Sequence, residues 1–317
     1  MNRIHMKRLI YALAFLLLFS CTAETKLAAQ ESHASIEEKL SGLSQKHAEA
    51  EMNDNLTSFI ATYHPDAISM PEYQLTLDGQ TAIEAYYAKM FQRQDVKFFE
   101  NVAEEYIHLD SSSVVEIGTF TKRLSASGND SITTFHGKYW HVWRIAPDGN
   151  VKLKGESYGY FHPIEDTDNH IVDVSYDQPN ERDIVKRKEV PFELKAYNAL
   201  MEKGVRTRDA MLRASFFTED ARFFPYADST VTGMNEIKPY LTAYSSRGKV
   251  SIDSIQCYTY DFEYAGNYII EYDMFKVRWS TLETSGRTEG KGIRIWKRQQ
   301  DKSLRLFREI GTHNYIQ

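Results

Sequence analysis

The sequence predicts an α+β fold present twice in tandem, and three observations predict it. Two separated blocks of residues recur at a nearly constant offset. Each copy opens with apolar residues at helical spacing and continues into long stretches rich in β-branched and aromatic residues. Hairpin turn residues punctuate those stretches.

The repeat is read most directly from its first block. Tyr63-His64-Pro65-Asp66-Ala67-Ile68-Ser69-Met70-Pro71 matches Phe217-Thr218-Glu219-Asp220-Ala221-Arg222-Phe223-Phe224-Pro225 in its Asp-Ala pair and in the proline that follows. Gly79, Ile83 and Tyr86 are answered by Gly233, Ile237 and Tyr240, so the whole block is displaced by 154 residues. In the second block Gly137-Lys138, Trp143 and Glu156 are answered by Gly290-Lys291, Trp296 and Glu309 at an offset of 153. Such matched spacing over two separated blocks is hard to obtain by chance and marks a duplication.

Within the first copy, Ile36, Leu40, Leu43, Ala48 and Met52 form a helical stripe on a charged segment. Asn53-Asp54-Asn55 interrupts it, and Leu56 to Tyr63 restarts as a short helix. Ala67 to Met70 reads as a strand closed by Pro71, and Asp78-Gly79 as a turn. Thr81 and Glu84 have the spacing of a capping box, which starts a helix at Ala82 that runs through Ile83, Tyr86, Tyr87, Met90 and Phe91. Asn235 stands in the place of Thr81 in the second copy and is also a good N-cap. From Val96 the pattern turns to strands: Val114–Leu124, Thr133–Ile145 and Val151–Phe161, with Asn129 and Pro147-Asp148-Gly149 at the turns. The second copy repeats the order in Val250–Tyr264, Asn267–Ser280, Thr288–Lys297 and Ser303–His313. Helices followed by an antiparallel meander predict helices packed on one face of a curved antiparallel sheet, a cone whose inner face is a pocket.

The ends and the composition bound the rest. Arg3, Lys7 and Arg8 precede an uncharged apolar run, Leu9 to Phe19, that is short for a membrane span and fits the hydrophobic region of a signal peptide. Leu18-Phe19-Ser20-Cys21 resembles a bacterial lipobox, with Phe19 bulkier than the residue usual there. That resemblance implies lipidation of Cys21, an exported protein and anchorage in the cell envelope on the periplasmic side or the cell surface; the alternative is a plain secretory signal cut after Ala23. The expected organisation is therefore a signal over 1–20, a tether over 21–34, a first domain over 35–165, a charged linker over 166–189 and a second domain over 190–317. Ile171 to Tyr176 reads as a short strand within that linker. Removing residues 1–20 takes away three positive charges and no negative one, moving the net charge from −6 to about −9, which argues against nucleic acid as a partner. With Cys21 lipidated, Cys257 has no partner for a disulfide, so each domain rests on its own hydrophobic core.

Phe/Tyr-x-x-Asp-Ala, a proline, a Gly-x-x-x-Ile helix, then Gly-x-Tyr or its counterpart, a tryptophan, Asp-Gly and a final strand resemble SnoaL-like members of the nuclear transport factor 2-like superfamily over nearly all of both copies. The resemblance implies two tandem cone domains, each with a deep pocket. It also implies pairing through the open sheet faces, which a tandem chain satisfies as an intramolecular pseudo-dimer. Its best-understood enzymes are ketosteroid isomerases. Their general base corresponds here to Pro71 and Pro225, their oxyanion-hole tyrosine to His47 and Met201, and their second oxyanion-hole acid to His141 and Arg294. Proline accepts no proton, so that reaction is not expected.

If His141 points inward, as the resemblance implies, alternation brings Tyr139 and Trp143 inward with it, and Glu156, Tyr158 and Tyr160 share a face of the last strand. With His47 and Tyr86 from the helices they make an aromatic pocket holding two imidazoles and a carboxylate. In the second copy Arg294 and Glu309 read as a buried ion pair, or Arg294 as an anchor for a carboxylate ligand. His136 and His141 lie an odd number apart, on opposite faces, and no ligand spacing predicts a metal or another cofactor. Three functions remain open: binding of a small amphipathic ligand, mainly in the first domain; an isomerase, dehydratase or hydrolase using His47, His141 and Glu156; and an envelope interaction module.

Overall fold

The computed structural model describes residues 33–128, 130–164, 188–246 and 250–314. The export signal, Cys21, most of the tether and of the linker, the strand expected over 171–176 and the turn residue Asn129 lie outside the described residues. Two compact units are present, Met1–Gln45 and Lys46–Gln317. In the first, residues 33–45 are helical. No helix among the described residues is long and apolar enough to cross a membrane.

The larger unit opens with helical residues 46–52 (α1) and continues α2 (Leu56–Ile60), β1 (Tyr63–Pro71), β2 (Leu77–Asp78), α3 (Gln80–Arg93), β3 (Gln94–Asp110), β4 (Ser113–Ala126), β5 (Thr133–Ile145) and β6 (Val151–Tyr160). The order then repeats as α4 (Phe192–Arg206), α5 (Ala210–Ala214), β7 (Phe217–Phe224), β8 (Val231–Thr232), α6 (Met234–Ser246), β9 (Ser251–Ala265), β10 (Tyr268–Ser280), β11 (Ser285–Arg298) and β12 (Leu304–His313). The fold class is α+β, with two six-stranded sheets of the same topology, β2-β1-β6-β5-β4-β3 and β8-β7-β12-β11-β10-β9.

Each sheet is mixed rather than antiparallel. β1 runs parallel to β6, and β7 parallel to β12. The meander expected from the turn residues is present in β3 to β6 and β9 to β12, where hairpins dictate antiparallel pairing. No hairpin joins β1 to β6, which it meets only after a helix and four intervening strands.

The helix starts also differ from expectation, in the same way in both copies. The residue capping α3 is Gly79, at φ 83°, and Thr81 lies inside the helix. The counterpart, Gly233 at φ 72°, immediately precedes α6, and Asn235 is a helical residue. Gly79 N–H donates to Ala67 O at 2.8 Å, and Gly233 N–H to Ala221 O at 2.7 Å, so each turn is tied back to the strand carrying the repeated Asp-Ala pair. That geometry needs a residue at home in the left-handed region, and this outranks a side-chain cap one or two residues later.

The two sheets pack against each other through their outer faces. Ile68, Met70, Val115, Ile117, Trp140 and Val142 of the first meet Phe224, Ile270, Tyr272, Ile293, Ile295 and Ile310 of the second in one apolar core. This is why β5 is buried on both faces instead of alternating. Polar contacts across the seam are reciprocal. Lys138 Nζ donates to Pro225 O, and to Asp228 O at 2.7 Å. Its repeat partner Lys291 donates to the carbonyl of Gln74, which is itself the repeat partner of Asp228. Arg308 and Arg222 pair with Glu105 at 2.6 and 3.2 Å.

Candidate functional site

The inner face of the first sheet collects every candidate named in the first copy. His47 comes from α1, Tyr86 from α3, Tyr139, His141 and Trp143 from β5, and Glu156 and Tyr158 from β6. Their polar atoms already engage one another. Glu156 Oε2 accepts from Tyr63 Oη at 2.8 Å and from Ser69 Oγ at 2.6 Å. Glu116 accepts from Tyr139 Oη and Trp143 Nε1, each at 2.7 Å, and lies 3.8 Å from His141 Nδ1. His47 stacks on Phe59 at 3.9 Å, its Nδ1 2.9 Å from Thr62 Oγ1, and its ring lies 6.0 Å from that of His141. Burial holds the His47 imidazole well below its ordinary pKa, with the positive charges of His141 and Lys122 adding to the effect. Burial also raises the Glu156 carboxyl, against His141, Ser69 and Tyr63. Burial alone would raise Glu116 too, but His141, Tyr139 and Trp143 hold it below the usual carboxylate range.

This network has almost no room beside it. The cavity among His47, His141, Glu156 and Tyr158 measures about 20 Å³, space for about one water. The acid–base groups expected in the first copy are thus together but enclosed.

The matching interior of the second copy is open, with a cavity of about 350 Å³, within the range of small-molecule sites. The correction to the expected location has a residue-level cause. Tyr139 and Tyr158 are cross-strand partners on β5 and β6; the corresponding partners on β11 and β12 are Gly292 and Gly311. The Tyr139 ring lies over Gly118, where a Cβ would approach it to 2.8 Å; the partner of Gly292 on β10 is instead Asp273. A Cβ added at Gly311 would meet nothing within 4 Å. The buried ion pair Lys122–Glu51, at 2.5 Å, becomes Val277 and Val205, both on the cavity wall. Two phenol rings and two long charged side chains have been replaced by two hydrogens and two valines.

At the inner end of this cavity stands Arg294. Its Nε donates to Glu309 Oε1 at 2.8 Å, its Nη2 lies 3.0 Å from Asp273 Oδ2, and its Nη1 3.7 Å from Glu271 Oε2. Glu271 also accepts from Trp296 Nε1 at 2.7 Å. The arrangement parallels the first copy, where His141 stands between Glu116 and Glu156 on the flanking strands. Arg294 and Glu309 form the ion pair read from the sequence, but the guanidinium is shared among three carboxylates, which removes it as an anchor for an anion. Burial pushes Asp273 up to about 7, with Glu271 and Glu309 adding to the effect and Arg294 opposing it. Burial likewise pushes the free Cys257 thiol, also on the wall, up to about 12. His313, stacked on Tyr226 at 3.8 Å, is pushed down to about 4 by burial and by Lys291.

Asp273, Glu271 and Glu116 were missed in the sequence. The available signal was Glu271-x-Asp273, two acids on one face of a strand, set against Glu116-x-Gly118 in the first copy. Seeing it requires aligning the second long strand of each copy at an offset of 155, where neither repeated block reaches.

No family model matches the chain, and no curated protein matches it. Among solved structures, a ketosteroid isomerase-like protein from Erwinia carotovora atroseptica is 12% identical, with a TM-score of 0.36 over 38% of this chain and 93% of its own. A nuclear transport factor 2-like protein from Cytophaga hutchinsonii is 15% identical, with a TM-score of 0.31 over 38% of this chain and 94% of its own. A nuclear transport factor 2-like superfamily protein from Salmonella enterica is 10% identical, with a TM-score of 0.34 over 40% of this chain and 92% of its own.

Proposed function

We propose that this chain binds a small amphipathic molecule in the interior of its second sheet unit, while the first unit serves as a solid scaffold. One observation carries the reading: paired tyrosines in the first interior are paired glycines in the second, and a cavity of about 350 Å³ stands where the other copy has about 20 Å³. Its wall is mostly apolar, with Phe275, Val277 and Ile310, and carries a few polar groups, Asp273, Arg294 and Glu309 among them, as an amphipathic ligand requires.

The test restores the missing ring. Gly311→Tyr puts a phenol on the rung that Tyr158 occupies in the first copy, where an added side chain meets open space. Wild-type protein should enhance the fluorescence of N-phenyl-1-naphthylamine, a neutral apolar probe. Gly311→Tyr should weaken that binding by about tenfold or more, an affinity loss of about 1.4 kcal/mol, with an unchanged circular dichroism spectrum. Equal binding by the two proteins would place the ligand elsewhere.

The reading extends to assembly and location. The domains over 35–165 and 190–317 act as an intramolecular pseudo-dimer; the reciprocal lysine contacts and the apolar seam support this. The outer sheet faces are then already occupied, and sedimentation should find a monomer at all concentrations; a dimer that persists on dilution would refute the arrangement. Export and lipid anchorage at Cys21 in the cell envelope rest on Arg3, Lys7, Arg8, the run Leu9 to Phe19 and Leu18-Phe19-Ser20-Cys21.

A further inference from the structure

We infer that the ligand of the second cavity carries a positively charged head, a protonated amine, seated against Asp273 and Glu309; this rests on the cavity reading above. Asp273, Arg294 and Glu309 are on the cavity wall, Glu271 reaches the same guanidinium at 3.7 Å, and all four are removed from water: Glu271 is 0% exposed, Asp273 4%, Arg294 5% and Glu309 8%. Arg294 offsets one negative charge and leaves an excess. Buried charge of one sign is unfavourable unless an opposite charge joins it. A ligand carboxylate would add a fourth acid, whereas an ammonium group balances the set.

The geometry favours the same sign. Asp273 and Glu309 each present one oxygen, Oδ2 and Oε1, to Arg294. Asp273 is itself on the cavity wall, and its Oδ1 lies 3.2 Å from where a Cβ on the neighbouring Gly292 would stand. Phe275 also lines the cavity, and an aromatic wall favours a cation.

Two other cations line the cavity, and neither cancels the excess. Lys291 Nζ is held by the carbonyl of Gln74 and by Asn314 Oδ1 at 2.8 Å, facing the seam between the sheets. Arg213 lies over the Tyr244 ring at 5.6 Å and is half-buried, with its Nε enclosed and without an acceptor. An anionic ligand would have to use Arg213, and the experiment separates the two cases.

Octylamine, octanol and octanoate share one tail and differ in head charge. Each is titrated at pH 8 against N-phenyl-1-naphthylamine bound to the purified chain. Octylamine should displace the probe at a concentration about tenfold or more below that of octanol, as a charge-assisted hydrogen bond implies, and octanoate should be the weakest. Asp273→Asn, of nearly the same shape, should remove most of the amine's advantage, read as the ratio of the octylamine and octanol midpoints. Equal potency of octylamine and octanol would overturn the positive head and leave the cavity reading standing. Octanoate as the best competitor would overturn it in favour of Arg213. Failure of the probe itself to bind would overturn the cavity reading, and the charged head with it.

Discussion

Replacing Arg294 with methionine should lower the stability of the chain by about 3–5 kcal/mol at pH 8, the cost of breaking a buried charge network by removing one partner. Methionine fills a similar volume, so the loss is electrostatic: Glu271, Asp273 and Glu309 would face one another with no cation among them. The deficit should shrink as the pH falls. Asp273 already sits at about 7 in the folded chain, against an ordinary 3.8. A carboxyl raised in the folded state binds a proton that the unfolded chain has released, so its stabilising contribution is complete below pH 4 and is lost as the pH rises to about 7. Without Arg294 the Asp273 carboxyl moves further in that direction, and the variant should recover most of the difference by pH 5. Urea denaturation at pH 8, 6.5 and 5 reads this directly. A variant as stable as the wild type at pH 8 would mean that the carboxylates are not ionised and enclosed together.

The second large effect belongs to the seam between the sheets. Trp140→Ala should cost about 3–5 kcal/mol, as truncation of a buried aromatic does. Trp140 is fully buried, meets Phe224 edge-on at 5.4 Å and belongs to the core shared by both sheets. Trp140→Phe should cost under about 1.5 kcal/mol, because the Trp140 Nε1–H has no acceptor there and phenylalanine removes that unsatisfied donor while keeping a ring. The urea midpoints of the two variants check this. A mild effect of Trp140→Ala would show that the sheets do not depend on each other's outer faces.

Both predictions concern groups whose environment the sequence describes unequally. Duplication, the order of helices and strands, and the strand spans are readable because they depend on local pattern: the repeated Asp-Ala and Gly-x-x-x-Ile residues, the β-branched and aromatic residues of Thr133–Ile145, and Asp-Gly at a turn. The pairing of β1 beside β6 is not local, and neither is burial of the outward residues Trp140 and Val142, which need a second sheet to cover them. The capping glycines were present in the repeat, but their role depends on a hydrogen bond to a strand twelve residues earlier.

The sequence by itself determined that one α+β unit occurs twice, and which side chains alternate toward each interior, since both follow from periodicity along a single chain. Only the tertiary structure decided which interior is empty. A cavity is the volume left by side chains from several elements, and here Val205, Val277 and Gly311 come from three of them. No one stretch of chain records their sum, so the copy with the histidines looked like the pocket, while the copy with the glycines contains it.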